Sequence, residues 1–409
     1  MMRSLFSGVS GLKNHQTRMD VIGNNIANVN TVAFKAGRVN FEDILSQTVE
    51  GARSPQTGGM GGVNPKQVGL GMGISSIDTL FTPGSLQSTD NPTDFAVQGE
   101  GFFIVSDGSQ VYYTRDGAFK TSADGALVNS NGFRLQGWMA DTDGNIDSTQ
   151  ALQNITIPVG AQMKPKATTQ IAFEGNLDAN ADLNSEWITS VQVYDSLGNP
   201  HNLTITFEKS GTITNGWDWE ATLDGSTATD GQGTIQFDAN GSIISTTLPS
   251  LPASFAITGA NAISLNIDFS QLTQFGGNPT AYINFQDGYE AGSLDMVSTD
   301  SGGVLTGIFT NGQSKALAQI ALATFSNPGG LLKEGGNLYQ ISNNSGLPNI
   351  GTASSGGRGS IAVGALEMSN VDLAQEFTNM IVTQRGFQAN SRVITTSDEM
   401  LQDLINIKR

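Results

Sequence analysis

The last forty residues carry a hydrophobic repeat that one helix cannot satisfy alone. Positions 373, 377, 380, 384, 387, 391, 394, 398, 401 and 405 step alternately by four and three. Leu373, Phe377, Met380, Phe387, Ile394, Leu401 and Ile405 make most of them apolar, with Gln384, Ser391 and Asp398 as polar interruptions. Such steps line one seam along a helix, the pattern of a coiled coil, where scattered polar positions weaken association but fix register. At about 1.5 Å of rise per residue the seam runs on the order of 50 Å. Asn370 and Asp372 stand where they can cap its start. A stripe this long needs a partner helix.

The opposite end supplies one. Leu5, Val9, Leu12, Met19, Ile22 and Ile26 fall on one face of a helix, which Asn28, Asn30 and Thr31 then stop. The two ends are predicted to pair, and both stripes call for further copies to complete a bundle. The plainer alternative is two ordinary core helices of one domain. Charge follows the same division. Residues 1–40 hold Arg3, Lys13, Arg18, Lys35 and Arg38 against Asp20 alone, a net +4, and residues 370–409 are nearly balanced at −1, so of the chain's net −17 the body between them holds −20. A merely solvated acidic surface accounts for that body too. Nearly balanced or mildly basic ends suit burial against one another.

Between the helices the hydrophobic period changes to two. Phe102–Val105, Val191–Tyr194, Leu203–Phe207, Trp217–Glu220 and Ile263–Ile267 read as strands. Asp107-Gly108, Asp116-Gly117, Asp124-Gly125, Asn131-Gly132, Asn240-Gly241 and Asn311-Gly312 read as the turns between them. The fold class is therefore mixed and mainly β: N- and C-terminal α-helices form a coiled-coil-like inner domain, and two nested, discontinuous β-rich domains lie outside it. If the ends pair, the middle leaves and returns. Residues 1–30 with 370–409 form the helical domain, and 31–72 with 360–369 an extended connector, glycine-rich at Gly58–Gly62 and Gly69–Gly73. Residues 73–144 with 286–359 form the first β-domain, and 145–285 an outer β-insert. That insert has only Lys164, Lys166 and Lys209 as cations and is rich in Thr, Asn and Ser, which suits a weakly packed, exposed domain.

Composition removes most chemistry. The chain has no cysteine and two histidines, His15 and His201, so thiolate metal sites, disulfides and Cys nucleophiles are excluded. No partner residue for either histidine is visible in the sequence. Asp141–Asp147 imitates a calcium loop, but Ile146 and Leu152 occupy the positions that need Gly and Glu, leaving an Asp-Gly turn. Gly8-Val9-Ser10-Gly11 is one residue short of a nucleophile elbow and lies on a helix. The sequence points to no catalytic residue, cofactor or metal. Net −17 disfavours nucleic acid, and no run of apolar residues is long enough for a spanning helix. The first residues lack the apolar core of a secretory signal, so the expectation is a cytoplasmic protein or one exported without a cleaved signal.

Three motifs resemble one family. Asn24-Asn25-Ile26-Ala27-Asn28-Val29-Asn30-Thr31-Val32-Ala33-Phe34-Lys35 is similar to the N-terminal signature of bacterial flagellar rod and hook axial proteins. Glu367-Met368-Ser369-Asn370-Val371-Asp372-Leu373 and Gln384-Arg385-Gly386-Phe387-Gln388-Ala389-Asn390 resemble its C-terminal signature. Asn91–Phe103 resembles the start of its first β-domain. Ala33 stands where the family usually has Gly, and Phe387 where Tyr is common.

The resemblance implies a structural subunit polymerising with itself into a curved helical tube, a bendable joint that transmits torque from rod to filament. The 145–285 insert favours a hook-type over a distal-rod-type member. The implied partners are further copies of the chain, the distal rod protein, the hook cap, the hook-filament junction proteins and the flagellar type III export apparatus. Location would be extracellular, in the flagellar hook. Phe41 through Leu45 resembles a short export determinant of such substrates. The named apolar stripe residues, with Gln384, would form subunit interfaces. The rival class is a secreted β-domain enzyme acting on polysaccharide, which needs two converging carboxylates.

Overall fold

The computed structural model describes residues 2–55, 61–158, 160–247 and 253–407. The glycine-rich stretch Gly58–Met60 lies outside the described residues. Two compact units divide the chain. The first is built from residues 1–158, 298–306 and 316–409, and the second from 159–297 and 307–315.

In the first unit, helix α1 spans Met2–Ala27 and helix α2 spans Leu373–Ile407. Asp372 caps α2: its Oδ1 accepts from the amides of Ala374 at 2.8 Å and Gln375 at 3.2 Å. After α1 the chain runs out along Gly37–Asp43 and returns along Met72–Thr79, an antiparallel ribbon continued by Ser46–Glu50 against Lys66–Gly69. Much of the expected glycine-rich connector is thus paired strand. Val68, Ile74 and Ile77 supply the side chains a strand needs between its glycines, and backbone pairing satisfies the amides.

The first β-rich core lies around Phe102, Ile104, Tyr113, Trp138, Ala321, Ala323, Leu331 and Tyr339. Strand Phe102–Ser106 pairs with Val111–Thr114 through the Asp107-Gly108 turn, where Asp107 Oδ1 accepts from the Ser109 and Gln110 amides at 2.7 Å each. Gly108 sits at φ 95°, a left-handed conformation that a side chain would oppose. Returning residues 318–323 pair with Gly137–Met139 and Phe102–Phe103, so outgoing and returning stretches share this sheet.

The second unit contains an antiparallel meander, Glu186–Tyr194, Pro200–Lys209, Gly216–Leu223 and Ser226–Phe237. Gln170–Asp178 pairs in parallel with Ile263–Phe275. Leu203, Ile205 and Phe207 point inward at every second position. They meet Phe173, Trp217, Trp219 and Phe269, with Phe173 edge-on to Phe207 at 5.6 Å and Trp219 at 5.1 Å from Phe269. The expectation of weak packing is corrected. Polar composition marked the outward residues, while large aromatics at alternate positions fill the interior.

Candidate functional site

The two helices lie antiparallel, with Ser4 beside Ser397, Gly8 against Ile394, Gly11 against Asn390 and His15 against Gly386. Small residues let the backbones approach: a Cβ on Gly11 would come within 2.7 Å of the Asn390 amide. The α2 face turned to α1 runs through Met380, Thr383, Gly386, Asn390, Ile394, Ser397 and Leu401. Thr383 and Ser397 are buried there, their hydroxyls donating to the carbonyls of Asn379 and Val393.

This face only partly coincides with the apolar seam. Leu373, Phe377, Gln384, Phe387 and Ile405 are exposed, and Met380, Ile394 and Leu401 are half-buried. Ile381, Val382, Val393 and Met400 add further exposed apolar surface. On α1, Leu5, Leu12, Met19 and Ile26 are half-buried and Val9 is exposed. Ile22 is buried within the chain's own fold, which removes it from the surface open to another copy. Sequence periodicity located an apolar seam. It missed the second, small-residue face, whose only signal was glycine at positions 8, 11 and 386.

The family-like motifs gather beneath the helices. Asn25 reads Gly37 with both ends of its amide, donating to its carbonyl at 2.8 Å and accepting from its N–H at 2.9 Å. Asn14 Nδ2 donates to the Met72 carbonyl at 2.6 Å. Asn28 Nδ2 donates to the Asn24 carbonyl and Asn28 Oδ1 accepts from Thr31, closing the end of α1, while Asn30 is exposed. Ala33 is fully buried at φ 58°, the conformation that explains why glycine is usual there. Asn370 does not cap α2. Its Oδ1 accepts from the Ala36 amide at 2.8 Å, and its Nδ2 donates to the Leu80 carbonyl at 2.8 Å. Phe34 and Lys35 are buried, and Lys35 meets Glu367 at 2.6 Å. Burial and the Arg115 charge push the Lys35 ammonium down while Glu367 holds it up, with a net lowering. Asp372 is the cap described above, and Arg385, Gln388 and Ala389 are exposed, whereas Asn390 is half-buried on Gly11.

Phe41 packs edge-on against His15 at 5.7 Å with the Arg18 guanidinium over its ring, whereas Leu45 is 80% exposed. His15 is held below its ordinary value by burial and by Arg18. His201 has the partners that the sequence did not reveal: its Nδ1 lies 2.7 Å from Asp224 and its Nε2 3.5 Å from Asp195. Folding brings the three together because two turns of the meander meet there. Asp141 Oδ1 accepts from the Asp143 and Asn145 amides, which makes its loop a self-bonded turn. Among the described residues no group of His, Asp or Glu is arranged to hold a metal.

A terminal helix pair thus carries unburied apolar surface, and the β-rich stretches of the chain lie in sequence between its two helices. Family models match in the same order: "Flagella basal body rod protein" at residues 5–35, "Flagellar hook protein FlgE/F/G D1 domain" at 96–179, "Flagellar basal body protein FlaE D2 domain" at 162–289 and "Flagellar basal body rod FlgEFG protein C-terminal" at 362–407. The flagellar hook protein FlgE of Treponema pallidum is 44% identical and that of Borreliella burgdorferi 43%, each over the whole of both chains. The basal-body rod protein FlgG of Bacillus subtilis matches over the same span at 32%. The crystal structure of Helicobacter pylori hook protein FlgE2 shares the fold, with a TM-score of 0.53 at 16% identity over 69% of this chain and all of that one. The chain belongs to the flagellar hook protein family. It is a structural subunit of the hook, part of a flagellar polymer.

Proposed function

We propose that copies of this chain assemble head-to-tail into a curved helical tube that bends while passing torque from rod to filament. The supporting observation is the outward seam: Leu373, Phe377, Phe387 and Ile405 remain exposed after α1 has taken its place on α2. A helix pair with apolar residues left on its outer face gains by packing against further pairs. A head-to-tail contact whose rotation does not close on itself produces a helix. Val9 and the half-buried Leu5, Leu12, Met19 and Ile26 complete the contact, and Gln384 sets its register, whereas Met380, Ile394 and Leu401 are taken up by the chain's own helix pair.

The same reading divides the chain into helical domain, connector, first β-domain and outer insert, with the outer parts making wetter contacts that slide on bending. It assigns the chain no catalysis. Its partners are the distal rod protein, the hook cap, the hook-filament junction proteins and the type III export apparatus. Export proceeds without a cleaved signal to an extracellular site, with Phe41 and Leu45 in the export determinant. Electron microscopy of the concentrated full chain tests the polymer: curved tubes are expected. Straight tubes favour a rod role, and persistent monomers overturn the proposal.

A further inference from the structure

Beneath the helix pair the chain buries three charges where an apolar cluster would be expected. Lys35, Arg115 and Glu367 have side chains 0, 3 and 1% exposed. Glu367 Oε1 accepts from Lys35 Nζ at 2.6 Å and from the Gly84 amide at 2.9 Å, and its Oε2 lies 3.5 Å from Arg115. Lys35 also donates to the Thr82 carbonyl at 2.9 Å. Arg115 donates to the carbonyls of Val97 at 3.2 Å and Gly99 at 2.7 Å, and its guanidinium lies over the Phe102 ring. The backbone closes the same point, Ala33 N–H donating to the Glu367 carbonyl at 2.7 Å. Lys35 and Glu367 are 332 residues apart in sequence.

Two buried cations against one carboxylate make a poor device for stability. Burial pushes both Lys35 and Arg115 down from their ordinary values, and Arg115 Nε has no hydrogen-bond partner. Apolar replacements of a buried ion cluster are often neutral or stabilising, whereas removal of one partner is strongly destabilising. What charge adds is direction. A carboxylate bonded at once to Lys35, Gly84 and Arg115 admits one placement of the segments around residues 35, 84, 115 and 367. An apolar cluster of the same volume admits several nearby placements.

We infer that Glu367 is a positioning residue for assembly: through Lys35 and Arg115 it sets the single register in which the outgoing and returning segments meet below the terminal helices. Every subunit then presents its seam at one angle, as a regular tube requires. This rests on the polymer proposed above.

Full-length wild type, Glu367→Gln and the triple replacement Lys35→Met, Arg115→Met, Glu367→Met are compared by thermal unfolding and by helical reconstruction of the tubes. Glu367→Gln is expected to melt lower and to lose tube yield about tenfold or more, since it leaves two buried cations unpaired. The triple variant is expected to melt close to wild type yet form tubes of mixed helical parameters. Triple-variant tubes with the wild-type parameters overturn the inference, as does a triple variant that melts as low as Glu367→Gln. Tubes and melting unchanged by Glu367→Gln overturn it as well. Absence of tubes from the wild type strikes the polymer proposal instead, and the inference falls with it.

Discussion

Gly386 on the C-terminal helix lies against the His15 imidazole on the N-terminal helix, so close that a Cβ at 386 would come within 2.8 Å of the ring. Gly11 and Asn390 repeat the arrangement one turn along. The helix pair is therefore joined through its small residues, which leaves larger apolar side chains for the outside.

Glycine substitutions on α1 should then act with opposite sign. Gly11→Val forces a branched side chain into Asn390 and should cost about 1–3 kcal/mol. Gly23 has nothing within 4 Å of its Cβ position, so Gly23→Ala should stabilise the helix by about 0.5–1 kcal/mol. Rates of limited proteolysis within the terminal helices measure both, faster in the first and slower in the second.

Phe377 is 51% exposed in the isolated chain. Phe377→Ser should move monomer stability by no more than about 0.5 kcal/mol, the usual range for a surface change. Tube formation followed by sedimentation should fall severely. Equal loss of both would place Phe377 in the subunit's own core.

His201 is held above its ordinary 6.5 chiefly by its hydrogen bond to Asp224, with Asp195 adding to it and burial opposing both. A raised folded value means that the stabilisation is complete below 6.5 and is lost as pH rises through that higher value. Solvent screening limits it to about 1 kcal/mol or less. His201→Asn should lower the melting temperature at pH near 6 and have less effect near 9. A constant difference across that range would remove the ion-pair account.

Asp287 reaches Thr169 and Gln170, which are 118 and 117 positions away in sequence. Its carboxylate accepts from the amides of Thr169 at 2.8 Å and Gln170 at 2.9 Å, from Thr169 Oγ1 at 2.7 Å, and faces Lys166 at 3.0 Å. Burial pushes this acid up, but these donors outweigh it and hold it well below the carboxylate range. Its stabilisation is therefore present above the ordinary 3.8 and is lost as pH falls toward the depressed value. Asp287→Asn should cost about 1–3 kcal/mol at neutral pH. Calorimetry at neutral and acid pH should show the mutant's deficit shrinking on acidification.

The sequence pattern alone determined the two terminal helices, the strands with aromatic or β-branched residues at alternate positions, and the turns at Asp107-Gly108, Asp124-Gly125, Asn131-Gly132, Asn240-Gly241 and Asn311-Gly312. These depend on near neighbours in the chain, as does the capping of α2 by Asp372. Asp116-Gly117, by contrast, is irregular backbone and not the turn expected there. The family-like motifs placed Asn370, Phe34 and Lys35 among residues of consequence without saying what each touches. Only the tertiary structure decided that α1 takes the small-residue face of α2, because a helix offers several faces and the choice depends on how closely two backbones approach. It alone brought His201 to Asp195 and Asp224, gave the second unit its aromatic core, and buried Glu367 between Lys35 and Arg115. Those contacts join residues tens to hundreds of positions apart. Their chemistry is in the sequence, but burial and direction arise only when the chain has closed on itself.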